Sequence, residues 1–157
     1  MKKNILNELG KRIVFFDGGM GTLLQERGLE AGELPENWNL EHPDIIRELH
    51  RDYLNAGADI ILANTFGANE LKFPDNLEEI VTKGVQNAKK AVKETGKDGY
   101  VALDVGPTGK LLKPLGTLDF EDAVSIFART IKAGAAAGAD LIPVSYTHLR
   151  AHETRGN

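Results

Sequence analysis

Two carboxylates, Asp17 and Asp104, and one amide–hydroxyl pair, Asn64-Thr65, occupy the same kind of position in this chain. Each follows an apolar run and precedes glycine. Ile13-Val14-Phe15-Phe16 leads into Asp17-Gly18-Gly19-Met20-Gly21-Thr22. Ile60-Ile61-Leu62-Ala63 leads into Asn64-Thr65-Phe66-Gly67, and Tyr100-Val101-Ala102-Leu103 into Asp104-Val105-Gly106-Pro107-Thr108-Gly109. Four apolar residues in a row read as a strand buried on both faces, as in a parallel sheet. The glycines mark backbone that bends sharply or comes close to a ligand. Parallel strands would bring the three polar ends to one rim, where α/β proteins place their sites. Such a rim offers carboxylates for acid/base work and glycine N–H groups for an anion.

The elements that must hold this rim are marked along the chain. Pro43 suits a first helical position, Asp44 the positive end of the helix dipole, and Ile45, Ile46, Leu49, Tyr53 and Leu54 form an apolar stripe that stops at Gly57. A second helix opens at Pro74-Asp75-Asn76, repeats Ile80, Val81, Val85, Ala88 and Val92, and closes at Gly96. A third follows Asp119. Asn4 to Lys11 predicts a short amphipathic helix, and Leu23 to Arg27 one or two turns stopped at Gly28. Glu30 to Asn39 has no period and reads as a long loop that covers something. Its Trp38 is either a lid or a buried anchor. His42 and His50 read as surface or packing residues rather than metal ligands.

An internal echo supports repeated βα units: Ala56-Gly57-Ala58-Asp59-Ile60-Ile61 matches Ala137-Gly138-Ala139-Asp140-Leu141-Ile142. Strands and helices alternate to a fourth strand, where Pro143 interrupts the pattern. The stretch after it carries half of the four histidines and no apolar period. It resembles a recurrent non-coding read-through peptide. Residues 1–142 are therefore read as folded, and 143–157 as a non-native, disordered tail.

Bulk properties exclude several classes. The 157 residues have a net charge of -4 without a long basic run, which disfavours nucleic acid and anionic membrane as partners. There is no cysteine, hence neither a disulfide nor a thiolate metal site in this chain. Apolar runs fall far short of the roughly 20 residues of a membrane span. No signal-peptide core stands at the N-terminus, so the expected location is cytoplasmic.

The three glycine-bearing motifs, with Leu34-Pro35-Glu36-Asn37-Trp38-Asn39-Leu40 and His42-Pro43 between them, resemble the homocysteine S-methyltransferase family over residues 10 to 142. The likeness is greatest to the homocysteine-binding domain of its cobalamin-dependent, methionine-synthesising members. The resemblance implies a (βα)8 barrel, of which this α/β chain would be the N-terminal half, with about four parallel strands and helices outside. It implies methyl transfer to homocysteine sulfur, with zinc held by three cysteines lowering the thiol pKa. Methylcobalamin, in a separate domain recharged by a folate domain, would be the donor. Asp17 would sit near the amino end of homocysteine, Gly18, Gly19, Met20, Gly21 and Thr22 would face its carboxylate, and Asn64, Thr65 and Asp104 would line the same mouth.

Two departures matter. The family's strand-four Glu, which holds the substrate ammonium, aligns with Ser145, and the zinc cysteines are absent. The chain alone is expected to be inactive, to bind neither zinc nor cobalamin, and to self-associate through uncovered strand edges. Two other readings remain: a metal-independent barrel enzyme using Asp17 and Asp104 as acid and base, and a non-catalytic amino-acid-binding module.

Overall fold

The computed structural model describes residues 4–143. The tail from 144 onward lies outside the described residues, as does Ser145.

Chain direction is set by helices that start and stop where the local chemistry requires. A single 3-10 turn, Ile5–Asn7, replaces the short helix expected there; the Asn4 side chain accepts from Leu6 N–H at 3.0 Å. Helix α1 spans Met20–Glu26. A 3-10 turn at Pro35–Asn37 and a four-residue helix, α2 (Trp38–Glu41), occupy the stretch read as a loop. Helix α3 spans Pro43–Ala56, with Pro43 in its first turn. Gly57 ends it at φ 111°, a left-handed position open to glycine at no steric cost. Strand β1 (Ile60–Leu62), helix α4 (Leu77–Thr95), strand β2 (Tyr100–Ala102) and helix α5 (Phe120–Ala136) complete the described order.

β1 and β2 pair in parallel, with Ile60 opposite Tyr100 and Leu62 opposite Ala102. Single parallel bridges extend the pair on both sides, Phe16 to Ile60 and Ala102 to Leu141. The extended segments thus lie side by side in sequence order. Two are regular strands; the outer two, expected as strands, are bridges. Pro143 interrupts the apolar pattern yet still accepts from Val105 N–H at 3.4 Å, because proline lacks only the donor.

The segment Ile13–Phe16 corrects the sequence reading. It is not buried on both faces: Ile13 is 73% exposed, Phe15 58% and Phe16 47%. Phe15 O accepts from Ile60 N–H at 3.0 Å, and Asp17 N–H donates to Ile60 O at 2.9 Å. Pairing along one side only leaves an edge, with apolar side chains over open surface.

Along β1 and β2 alternate side chains part to two faces. Ile61 and Val101 join Leu77, Ile80, Val81 and Val85 of α4 in the main core. Ile60, Tyr100 and Ala102 form a smaller cluster on the other face with Val14 and Leu141. The Ala-Gly-Ala-Asp echo has a shared physical role. Asp59 N–H donates to Phe15 O at 2.9 Å and its carboxylate accepts from Phe15 N–H at 3.0 Å. Asp140 does the same with Val101, at 2.8 Å in both directions. Each aspartate clamps the start of its own extended segment to the neighbouring one. No helix among the described residues is long and apolar enough to cross a membrane.

Candidate functional site

A cavity of about 480 Å³ opens at the C-terminal ends of the extended segments. Asp17, Gly18, Gly19, Met20, Gly21, Asn64, Thr65 and Asp104 all line it, so the three motifs do converge. Thr22 lies one step further into α1 and is not part of the lining.

The glycine turn is not left-handed. Gly19 caps α1 in an extended conformation, and Met20, Gly21 and Thr22 form the first helical turn. Gly18 is closely approached instead: a Cβ there would stand 3.0 Å from the Tyr53 hydroxyl. That hydroxyl donates to Gly19 O at 2.9 Å, tying the turn to α3.

Asp17 is held at one oxygen only. Its Oδ2 accepts from Leu62 N–H at 2.9 Å, and its Oδ1 is buried without a hydrogen-bond partner. Burial pushes the Asp17 carboxyl up to about 7; the Leu62 N–H opposes this, and the Asp104 charge adds to it. The Tyr53 phenol is also raised, by burial and then by the Asp17 charge. Asp104 is buried at 8% exposure, and its main-chain oxygen accepts from Thr65 Oγ1 at 2.9 Å.

Asn64 and Thr65 shape the cavity with the Asn64 Nδ2 and Thr65 Oγ1 atoms already engaged. Asn64 Nδ2 donates to Pro35 O at 2.8 Å and to Asn39 Oδ1 at 3.1 Å. Asn39 Nδ2 returns a bond to Asn64 O at 2.8 Å. Thr65 is fully buried and staples the end of β1 to the end of β2. These side chains hold the rim to the 35–39 segment and to the adjacent extended segment.

Sequence reasoning missed the contribution of that segment. Pro35 and Glu36 line the cavity, with Leu62, Ala63 and Phe66. Glu36 is 3% exposed and its Oε1 accepts from Gly67 N–H at 2.5 Å. The only local signal was Pro35, a helix-start residue beside a carboxylate. Trp38 is an anchor rather than a lid: it is buried against Leu24, Leu29, Ile46 and Leu49, and its Nε1 donates to Glu33 Oε1 at 2.6 Å.

His42 and His50 are packing residues. His42 meets the Trp38 ring edge-on at a centroid distance of 4.5 Å. His50 is fully buried with no hydrogen bond at either ring nitrogen, and burial pushes it down to about 4. Among the described residues no group of three or more His, Cys, Asp or Glu side chains could hold a metal ion. With no cysteine in the sequence, a thiolate zinc site does not fit this chain.

Residues 14–150 match the family model described as homocysteine S-methyltransferase. The chain belongs to the homocysteine S-methyltransferase family. It is 31% identical to methionine synthase of Mycobacterium tuberculosis and, equally, of Mycobacterium leprae. Both matches take in 90% of this chain and 13% of the relative, so the chain spans a small part of those proteins. Among solved structures it resembles the homocysteine methyltransferase MmuM of Escherichia coli. The metallated form gives a TM-score of 0.77 at 25% identity, with 90% of this chain and 57% of the other covered. The oxidised form gives 0.75 at 28%, with 89% and 56% covered. This is therefore a chain of an enzyme family, spanning little more than half of the homocysteine methyltransferase it resembles.

Proposed function

We propose that this chain forms the amino-acid-holding wall of a methionine synthase-type homocysteine S-methyltransferase, the N-terminal half of a (βα)8 barrel. One observation carries the reading: Asp17, the glycine turn and Asp104, from separate extended segments, line a single cavity. Among the described residues, no Lys, Arg or His lines the cavity. A zwitterion with its ammonium toward Asp17 and Asp104 and its carboxylate toward the Gly18–Gly21 main chain suits that lining.

In the reaction the homocysteine sulfur, as thiolate, attacks the donor methyl carbon. The S–C bond forms as the bond from carbon to donor breaks, and the donor leaves with that electron pair. This chain orients the amino-acid end so that the sulfur points out of the cavity. It supplies no thiolate ligand, so activation of the sulfur belongs to residues it does not hold. Methylcobalamin and the folate-recharging domain likewise belong to the parent protein, which we place in the cytoplasm.

Isothermal titration with L-homocysteine and L-methionine tests the reading. Saturable binding with a dissociation constant on the order of 1 mM is expected, with no methyl transfer and no zinc retained after dialysis. No amino-acid binding, or stoichiometric retained zinc, would overturn it. The Asp17 carboxyl near neutrality favours a second reading, metal-independent acid/base chemistry. Deuterium exchange at the amino-acid α-carbon, catalysed by this chain and lost in Asp17→Asn, would establish that instead.

A further inference from the structure

We infer that Glu36 is a substrate-positioning residue of this cavity and reads the ammonium group of the amino acid. The inference rests on the amino-acid reading above and adds a residue that none of the three motifs contains. Glu36 lines the cavity from the 3-10 turn at Pro35–Asn37, together with Asp17 of the first motif. It is 3% exposed, and only Oε1 is engaged, by Gly67 N–H at 2.5 Å. Among the described residues its Oε2 takes no hydrogen bond. Oε2 is not fully sealed from the cavity and can take a donor that a ligand supplies. Asp17 Oδ1 on the same cavity differs in being fully buried without a partner.

The pose of Glu36 is fixed rather than incidental. A Cβ on Gly67 would lie 2.8 Å from Glu36 Oε1 and 3.0 Å from Lys72 Nζ, so the carboxylate packs directly against the Gly67 main chain. Lys72 itself is outside the cavity lining. What the walls lack is a compact cation with several N–H donors, and a primary ammonium has three. A metal ion is the other candidate, and the described residues group no three ligands suited to one. The free oxygens of Glu36 and Asp17 therefore suit the amine end of a small amino acid.

The test uses the full 157-residue chain and two probes. One is L-homocysteine; the other is 4-mercaptobutanoate, which keeps the thiol and the carboxylate and lacks the ammonium. Glu36→Gln retains an oxygen for Gly67 N–H and removes the charge. It should weaken homocysteine about tenfold and leave 4-mercaptobutanoate unchanged. Gly67→Ala, which pushes Glu36 aside, should show the same selective loss and serves if the first variant melts too low to titrate. Equal loss for both probes would make Glu36 a structural residue and overturn the inference, as would no loss for either. Wild-type chain that binds neither probe would instead remove the amino-acid reading on which this one stands.

Discussion

Asp17 Oδ2 accepts the Leu62 N–H at 2.9 Å while its sister oxygen is buried without a bond. One oxygen therefore ties the first motif to the end of β1, and the other is left without a partner. The carboxyl sits at about 7, well above its ordinary 3.8, so the folded state favours the protonated form. Between about pH 4 and 7 the unfolded chain loses this proton first, and stability falls as pH rises. Asp17→Asn keeps an acceptor for Leu62 and removes the penalty. The variant should match wild type near pH 4 and exceed it by about 2–4 kcal/mol above pH 7 in urea melts. It should also lose amino-acid binding. Equal stability of the two proteins at pH 8 would count against the raised carboxyl.

The same carboxyl must ionise to receive an ammonium. Below pH 7 homocysteine binding should release a proton and weaken by about tenfold per pH unit, down to the point where the bound-state pKa is reached. Titration in buffers of different ionisation enthalpy reads the released proton directly. A pH-independent affinity between pH 5 and 7 would show that Asp17 does not face the amine.

Gly84 and Gly21 are both helical glycines, and alanine should act on them with opposite signs. A Cβ at Gly84 would meet Asn39 Nδ2 and Thr65 Cγ2, each at 2.9 Å, and would wedge α4 away from the rim. Gly84→Ala should cost about 1–3 kcal/mol despite the better helix propensity. A Cβ at Gly21 meets nothing within 4 Å. There the alanine should stabilise by about 0.5–1 kcal/mol. Thermal melts of the two variants check the contrast, and a stabilised Gly84→Ala would mean that the rim is not packed against α4.

Legibility of this fold followed the range of the interaction that carried it. The ends of α3 could be read because Pro43 and Gly57 act within one turn of themselves. The convergence of Asp17, Asn64 and Asp104 could be read because each sits at the end of an apolar run. Glu36 could not, since its partner Gly67 is 31 residues away. The helical turns at 35–41 were missed for a similar reason: Asn39 is held by Asn64, 25 residues on. The exposed Ile13–Phe16 segment carries the composition of a buried strand, and composition does not say whether a neighbour is present on both sides.

His50 works against Asp17 in acid. Its folded value of about 4 lies below the ordinary 6.5, so the fold favours the neutral ring. Stability from this source is whole above pH 6.5 and is lost as pH falls toward 4. His50→Leu removes two buried nitrogens that have no partner and should raise the melting temperature by several degrees. It should also flatten the acid limb between pH 6.5 and 4. An unchanged acid limb would place the destabilising proton elsewhere.

The uncovered edge predicts association. Ile13, Phe15 and Phe16 present apolar side chains beside a row of peptide groups paired on one side only, a combination that recruits another chain. Sedimentation of the wild-type chain should show species larger than the 17.1 kDa protomer at micromolar concentration. Phe15→Lys places a charge on that edge without touching the main core, and should shift the distribution toward monomer with the melting temperature little changed. Association that survives the lysine would move the contact to another face. A monodisperse wild-type monomer would show that this edge does not recruit another chain.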